Sequence, residues 1–317
     1  MYWPVVVFEV ACWVTFTALA VYYTSVSVRA RSMHIGLWMV IGVAAMSWME
    51  APFDNSMYAV FHPDFARLPK WGPIGATQGQ LPQIAPPGYI LYFIVPALIG
   101  VAAGKAVMRK YGWRQGNALL ACGFATGILW DAFFEIGETH TAHLWAYARV
   151  APGLTISPGG ISQVPVYVFL AMAAFIMPLT YVLGAVDRDG QPMLMALVAR
   201  RTSPGAARTV AMLIVSVMFT NVTYALTYLP HVITKSAHLL TQSGKLVPFP
   251  GKIAIQPGAD ATQHDGALGS LIIWGWLLAM TALVFKLVAV IDARMLAAQA
   301  STATERVAPD FVAEIQA

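Results

Sequence analysis

The chain has 317 residues, 58% of them apolar and 11% charged, with a mean hydropathy of +0.64, where soluble domains carry roughly 25% charged residues. That balance excludes a water-soluble globule, a disordered tail and a collagen-like fibre. The net charge is only +4 and the basic residues are scattered, so nucleic acid is not an expected partner.

Seven apolar runs follow in chain order: Val5 to Tyr23, Gly36 to Met57, Pro87 to Val107, Asn117 to Gly137, Gln163 to Leu183, Ala206 to Leu229 and Ala267 to Ile291. Each approaches the roughly 20 residues that cross a bilayer as a helix. The first has no basic flank and holds Glu9 in its body, so it is expected to be retained rather than cleaved as a signal peptide. Pro52, Pro96, Pro165 and Pro178 fall inside runs, where neighbouring helices can satisfy the freed carbonyls. Strand-like alternation is missing, which argues against a β-barrel. The expected architecture is an all-α polytopic membrane helix bundle of about seven transmembrane helices. It forms one transmembrane domain over residues 1–298, with a polar C-terminal tail over residues 299–317. Cys12 and Cys122 lie in apolar stretches and read as small buried hydrophobes rather than a disulfide framework.

Thirteen Lys and Arg flank the ends of runs one, three, five and seven, against six on the opposite side. The excess marks the cytoplasmic face and predicts an external N-terminus and an internal C-terminus. The long connections Val60 to Pro86, Thr139 to Ser162 and Pro230 to Gly266 are then external. They carry Trp71, Trp145 and Tyr147, residues suited to an interface or a lid.

Carboxylates at membrane depth cost about 2.5 to 3.5 kcal/mol on insertion scales, so each needs a reason. Run two holds Glu50 and Asp54; run four holds Asp131, Glu135 and, at its end, Glu138. Offsets of three, four and seven put each set on one helical face. Runs two, four and six point the same way, and run six brings Asn221, Thr223, Tyr224, Thr227, Tyr228 and His231 toward the same end. A shared pocket opening toward the outer loops keeps all of these away from lipid. Carboxylates crowded in a poorly solvated site share protons, so one can act as acid while another acts as base. Helix-locking pairs with Arg149 or the tyrosines are the structural alternative.

His140 and His143 form an HxxH just past the acidic stripe. On its own that is a weak metal signature, and His34, His62, His231, His238 and His264 are isolated. No metal is therefore expected, and the pair reads as surface, lid or proton-relay histidines. No nucleophile elbow, P-loop, dinucleotide fingerprint or HExxH is present.

At Ser47-Trp48, Ala51-Pro52, Asn55, Trp71-Gly72-Pro73, Thr126-Gly127-Ile128, Asp131, Glu135, Pro165 and Asp187-Arg188 the sequence resembles the AveC family of spirocyclases, over about Gly36 to Arg201. The resemblance implies an actinobacterial integral membrane protein that closes a dihydroxyketone to a spiroketal, with dehydration in at least one member. Asp131, Glu135 and Asn55 coincide with the family pattern, whereas Glu50 and Asp54 depart from it.

Such a closure protonates a ketone or hemiketal oxygen, generates an oxocarbenium ion and removes a proton from the attacking hydroxyl. It requires no cofactor. Asp131 or Glu135 is the expected acid, with Glu50 or Asp54 as its partner. Trp48, Trp130, Phe133 and Phe134 offer aromatic faces to the cation, and Asn55, Asn221 and Tyr224 offer orienting hydrogen bonds. The expected partners are a lipophilic small-molecule substrate and the lipid bilayer, in a bacterial cytoplasmic membrane. Two other readings fit buried acids: a membrane terpene cyclase that protonates an epoxide or alkene, and a lipid-binding or proton-coupled transport protein. The absence of a detected internal repeat weighs mildly against transport.

Overall fold

The computed structural model describes residues 2–57, 59–68, 81–147, 155–157, 162–237, 239 and 267–315, with the backbone alone at residues 55, 267 and 295–315. The loop tryptophan Trp71, Arg149, His238 and His264, named above, lie outside the described residues. Among the described residues, seven helices are long and apolar enough to cross a membrane: Trp3–Ala30, Ile35–Asp54, Ala85–Tyr111, Gln115–His140, Tyr167–Gly184, Ala206–Ser236 and Leu268–Arg294. Each overlaps one expected run.

The first helix, α1 (Trp3–Ala30), starts with Pro4 in its first turn and stops at Arg31, which takes a left-handed conformation. The second run is not one helix. α2 (Ile35–Met46) gives way to a 3-10 turn at Ser47–Met49 and restarts as α3 (Glu50–Met57). The restart places Pro52 in a first turn, where its missing N–H breaks little. The third run likewise divides, into α4 (Ala85–Tyr89), a π-helical segment Ile90–Ile94 and α5 (Val95–Tyr111). The wide turn immediately precedes Pro96, which cannot donate to the preceding turn.

α6 (Gln115–His140) and α7 (Tyr167–Gly184) form the centre of the bundle. α7 begins at Tyr167 rather than Gln163 because Val164–Pro165 is extended and pairs with Thr155–Ile156. Nearly every α7 side chain is buried. α6 approaches α7 closely through Gly127, and α5 approaches α6 through Gly100. Small residues at such crossings let backbones touch, the main source of helix association where the surroundings are apolar.

A short helix, α8 (Met193–Ala199), precedes α9 (Ala206–Ser236) and α10 (Ala267–Ile315). α9 lies along α2, where the Thr220 hydroxyl donates to the Gly42 carbonyl at 2.8 Å. α10 is tied to α9 by the Trp276 indole donating to the Leu226 carbonyl at 2.7 Å, and to α6 by Asp292, which accepts from the Gly116 amide at 2.9 Å. The expected tail, residues 299–317, is helical in its backbone as far as Ile315.

Two short strand pairs interrupt the connections. β1 (Ala59–Phe61) runs antiparallel to β2 (Trp145–Tyr147), and β3 (Thr155–Ile156) to β4 (Val164–Pro165). The outside of the bundle stays apolar: Leu129 and Phe133 are 70% and 74% exposed. A surface of that kind is stable only against an apolar surrounding.

Candidate active site: an acidic chamber lined by phenols

The turn that ends α2 aims the first residues of α3 inward. Glu50 and Asp54, one helical turn apart, line a cavity of about 80 Å³. α6 contributes Glu135 to the same cavity, α4 and the π segment contribute Tyr89 and Tyr92, α9 contributes Tyr224 and Tyr228, and β2 contributes Trp145 and Tyr147. Phe8 of α1 closes one side and stands edge-on to Trp145 at 6.0 Å. Three carboxylates and five tyrosines therefore share one wall-to-wall space.

Each glutamate is tethered by aromatic donors. The Tyr89 hydroxyl donates to Glu50 Oε2 in a short hydrogen bond, the Tyr224 hydroxyl approaches the same oxygen at 3.3 Å, and the two hydroxyls lie 2.6 Å apart. Glu135 Oε2 accepts from the Trp145 indole at 2.9 Å and from the Tyr147 hydroxyl at 3.1 Å. Glu138, just behind, accepts a short bond from Tyr92. Burial, followed by the charges of Glu135 and Asp131, raises the Tyr147 phenol well above its ordinary range, so it remains a proton donor at neutral pH. Its strand is held in turn by Gln163, which donates to the Tyr147 carbonyl at 2.6 Å.

Asp54 differs from the glutamates. It is buried, and its Oδ2 has no hydrogen-bond partner. Arg67 sits within its electrostatic reach: burial lowers the guanidinium to about 10 while the Asp54 charge opposes that shift. Arg67 thus stays cationic at neutral pH, anchored by donation to the Phe61 and His62 carbonyls at 3.1 and 2.8 Å. Asp131 lies one turn before Glu135, fully buried, with neither oxygen partnered and no place in the cavity lining.

Of the residues expected to bind substrate whose side chains are described, only Tyr224 lines the chamber. Trp48 is 47% exposed and donates to Asn221 at 2.9 Å, a bond between α9 and the turn after α2. Trp130 and Phe134 meet with their rings tilted by 38° and centroids 4.6 Å apart, and Phe134 meets Tyr92 at 5.5 Å, with neither Trp130 nor Phe134 in the lining. Asn55 lies on α3 beside Asp54, its side chain outside the described residues. His140 lies 3.1 Å from both Thr139 Oγ1 and Ser157 Oγ, and His143 2.7 Å from the Thr139 carbonyl. Among the described residues, no three of His, Cys, Asp and Glu are grouped to hold a metal ion. Sequence reasoning passed over Tyr89, Tyr92 and Arg67, and read Trp145 and Tyr147 as interface or lid. Their one visible signal was a cluster of aromatic and basic residues flanking the acidic runs.

Tyr89 holds the short bond to Glu50, so Tyr89→Phe loses that bond and the one to Tyr224, whereas Tyr224→Phe loses the bond to Tyr89 and only the longer 3.3 Å contact to the carboxylate. Bonds to ionised groups contribute about 1.5–3 kcal/mol. Tyr89→Phe is therefore expected to lower turnover about tenfold, with Tyr224→Phe milder, in steady-state assays of protein matched for thermal midpoint. Wild-type rates in Tyr89→Phe would remove Glu50's tether from the chemistry.

The fold and the site together define a helical protein with seven helices long and apolar enough to cross a membrane among its described residues and an internal acid and phenol chamber. A family model described as Spirocyclase AveC-like matches residues 28–253, most of the chain, and the chain belongs to that family. Comparisons with curated proteins and with solved structures return no match.

Proposed function

We propose that the chain is a membrane-embedded cyclase that closes a lipophilic dihydroxyketone to a spiroketal by acid and base catalysis, releasing one water. The observation that carries this reading is the convergence of Glu50, Asp54 and Glu135 on a single cavity walled by phenols. Family membership supports the reaction class. The proposed setting is a bacterial cytoplasmic membrane, with the chamber toward the external side.

One hydroxyl adds to the ketone, giving a hemiketal. Asp54, with its unpartnered oxygen facing no internal donor, supplies a proton to the hemiketal hydroxyl, which leaves as water. The resulting oxocarbenium ion is captured by the second hydroxyl. Glu135, fixed by Trp145 and Tyr147, takes the proton from that hydroxyl, and proton return to Asp54 through released water closes the cycle. Glu50, held by Tyr89 and Tyr224, is a second carboxyl group beside the cation. Preorganised polar groups of this kind act strongly where water is scarce. Asp131, sealed behind Glu135, touches no substrate in this scheme. The chamber accommodates the reacting end of the molecule, with the apolar remainder extending toward the bilayer.

The test is incubation of the protein in lipid nanodiscs with a synthetic dihydroxyketone, following loss of one water by mass spectrometry and the stereochemistry by chiral chromatography. A single spiroketal stereoisomer formed faster than in empty nanodiscs supports the reading. Inert dihydroxyketone, with turnover of a prenylated epoxide instead, would replace it with terpene cyclisation; solute uptake into vesicles without chemical change would replace it with transport.

A further inference from the structure

We infer that the chamber is a recognition site for a compact organic cation, so that a lipophilic ammonium ion occupies it more tightly than a neutral molecule of the same shape. The inference deepens the cyclase reading and rests on it in one respect: the cation that arises there in turnover is the oxocarbenium ion.

The wall carries Glu50, Asp54 and Glu135 from two different spans, and among the described lining residues there is no Lys, Arg or His. Arg67 interacts electrostatically with Asp54 without lining the hollow, and the two glutamates have phenol and indole donors. Carboxylates that merely lock helices together are expected to be used up by partners on neighbouring elements; Asp54 is buried, lines the hollow and keeps an oxygen with no hydrogen-bond partner. Carboxyl groups gathered at a poorly solvated space without a cation in the wall ionise only at a cost, and a positive guest relieves that cost.

The rings add a second, independent attraction. A cation over the face of Tyr or Trp is drawn to the ring quadrupole, most strongly when desolvated. Tyr89 and Tyr147 donate their hydroxyl protons to carboxylates, which enriches their rings in electron density and strengthens that attraction. Tyr224, Phe93 and Phe53 form an edge-to-face cluster that holds the ring orientations, with centroids 5.6 Å apart for Phe93 and Tyr224 and 5.2 Å for Phe53 and Tyr224. The cavity of about 80 Å³ is about half the size that encloses a benzene molecule. It therefore takes a charged head of only a few heavy atoms, such as a secondary ammonium group, and an alkyl tail leaves through the opening.

The test compares equilibrium binding of radiolabelled N-methyldecylamine, cationic at neutral pH, with its neutral counterpart dodecane, using the full chain in zwitterionic-lipid nanodiscs and empty nanodiscs as baseline. The amine is expected to bind at least about tenfold more tightly, the scale of one desolvated cation–π contact, and this preference is expected to vanish in the double variant Glu50→Gln, Glu135→Gln. Equal affinity in the unmodified chain overturns the inference, as does an undiminished preference in a double variant that elutes as folded protein. If the double variant does not fold, Asp54→Asn takes its place, and an unchanged preference there overturns the inference equally. Turnover of the dihydroxyketone is read separately. Cation preference without cyclisation retains this inference and discards the cyclase reading, and cyclisation without cation preference does the reverse.

Discussion

Glu135→Gln is expected to lower turnover of a dihydroxyketone at least about a hundredfold, the lower end of what a positioned acid or base contributes, while leaving the folded protein intact. The amide keeps a carbonyl oxygen for the Trp145 and Tyr147 donors that now hold Glu135 Oε2, so the tether and β2 survive. What disappears is the capacity to take a proton from the attacking hydroxyl. Initial rates at saturating substrate, on protein whose thermal midpoint matches the parent, check this result. An unchanged rate would remove Glu135 from the proton transfers and with it the assignment of β2 as a positioning element.

The second large effect is structural. Gly127→Val is expected to destabilise the bundle by about 3 kcal/mol or more, the upper range for forcing extra atoms into a filled interior. A Cβ at this position would stand 2.7 Å from the Ala173 Cα, and that obstacle is backbone, which cannot swing aside. α6 and α7 would have to separate, and Glu135 rides on α6 two turns further along. Gly137, on the same helix, has nothing within 4 Å of a Cβ, so Gly137→Ala should be neutral or slightly stabilising through helix propensity. Thermal unfolding followed by circular dichroism separates the two. Similar midpoints for both variants would show that the α6 and α7 contact yields easily.

The acidic half of the site was legible because Glu50, Asp54, Asp131, Glu135 and Glu138 violate the apolar composition of their runs, and each violation has a cost that demands a cause. Helical spacing then put each set on one face, and Glu50, Asp54 and Glu135 do meet. Asp131 shows the limit of that logic: spacing of four places it on Glu135's face, but one turn deeper, where neighbouring helices seal it off. The phenolic half was legible only in Tyr224 and Tyr228, whose run points them at the acidic end. Tyr89 and Tyr224 meet across 135 positions of sequence, and tyrosine is ordinary enough at membrane interfaces to raise no alarm. β1 and β2 are three residues each, too short for alternation to register. Trp48 and Asn221 sit at suitable depths but satisfy each other, a pairing that composition does not foretell.

The span lengths were readable throughout, since they follow from bilayer thickness. The internal breaks were not, although both occur beside prolines the sequence displays. Proline announces that a hydrogen bond is missing; it does not announce whether the helix bends, tightens to a 3-10 turn, as before Glu50, or widens, as before Pro96.

That widening has a geometric result. On a regular helix, residues three apart lie on nearly the same side, and Tyr89 and Tyr92 would then compete for one neighbour. The π segment splays them instead, sending one phenol toward α3 and α9 and the other toward α6. A single residue's worth of extra chain thus determines which acids are bridged. In this fold the aim of two side chains is encoded by the local winding of a helix rather than by their own identity, so insertions and deletions in the third span, or replacement of Pro96, re-aim the chamber.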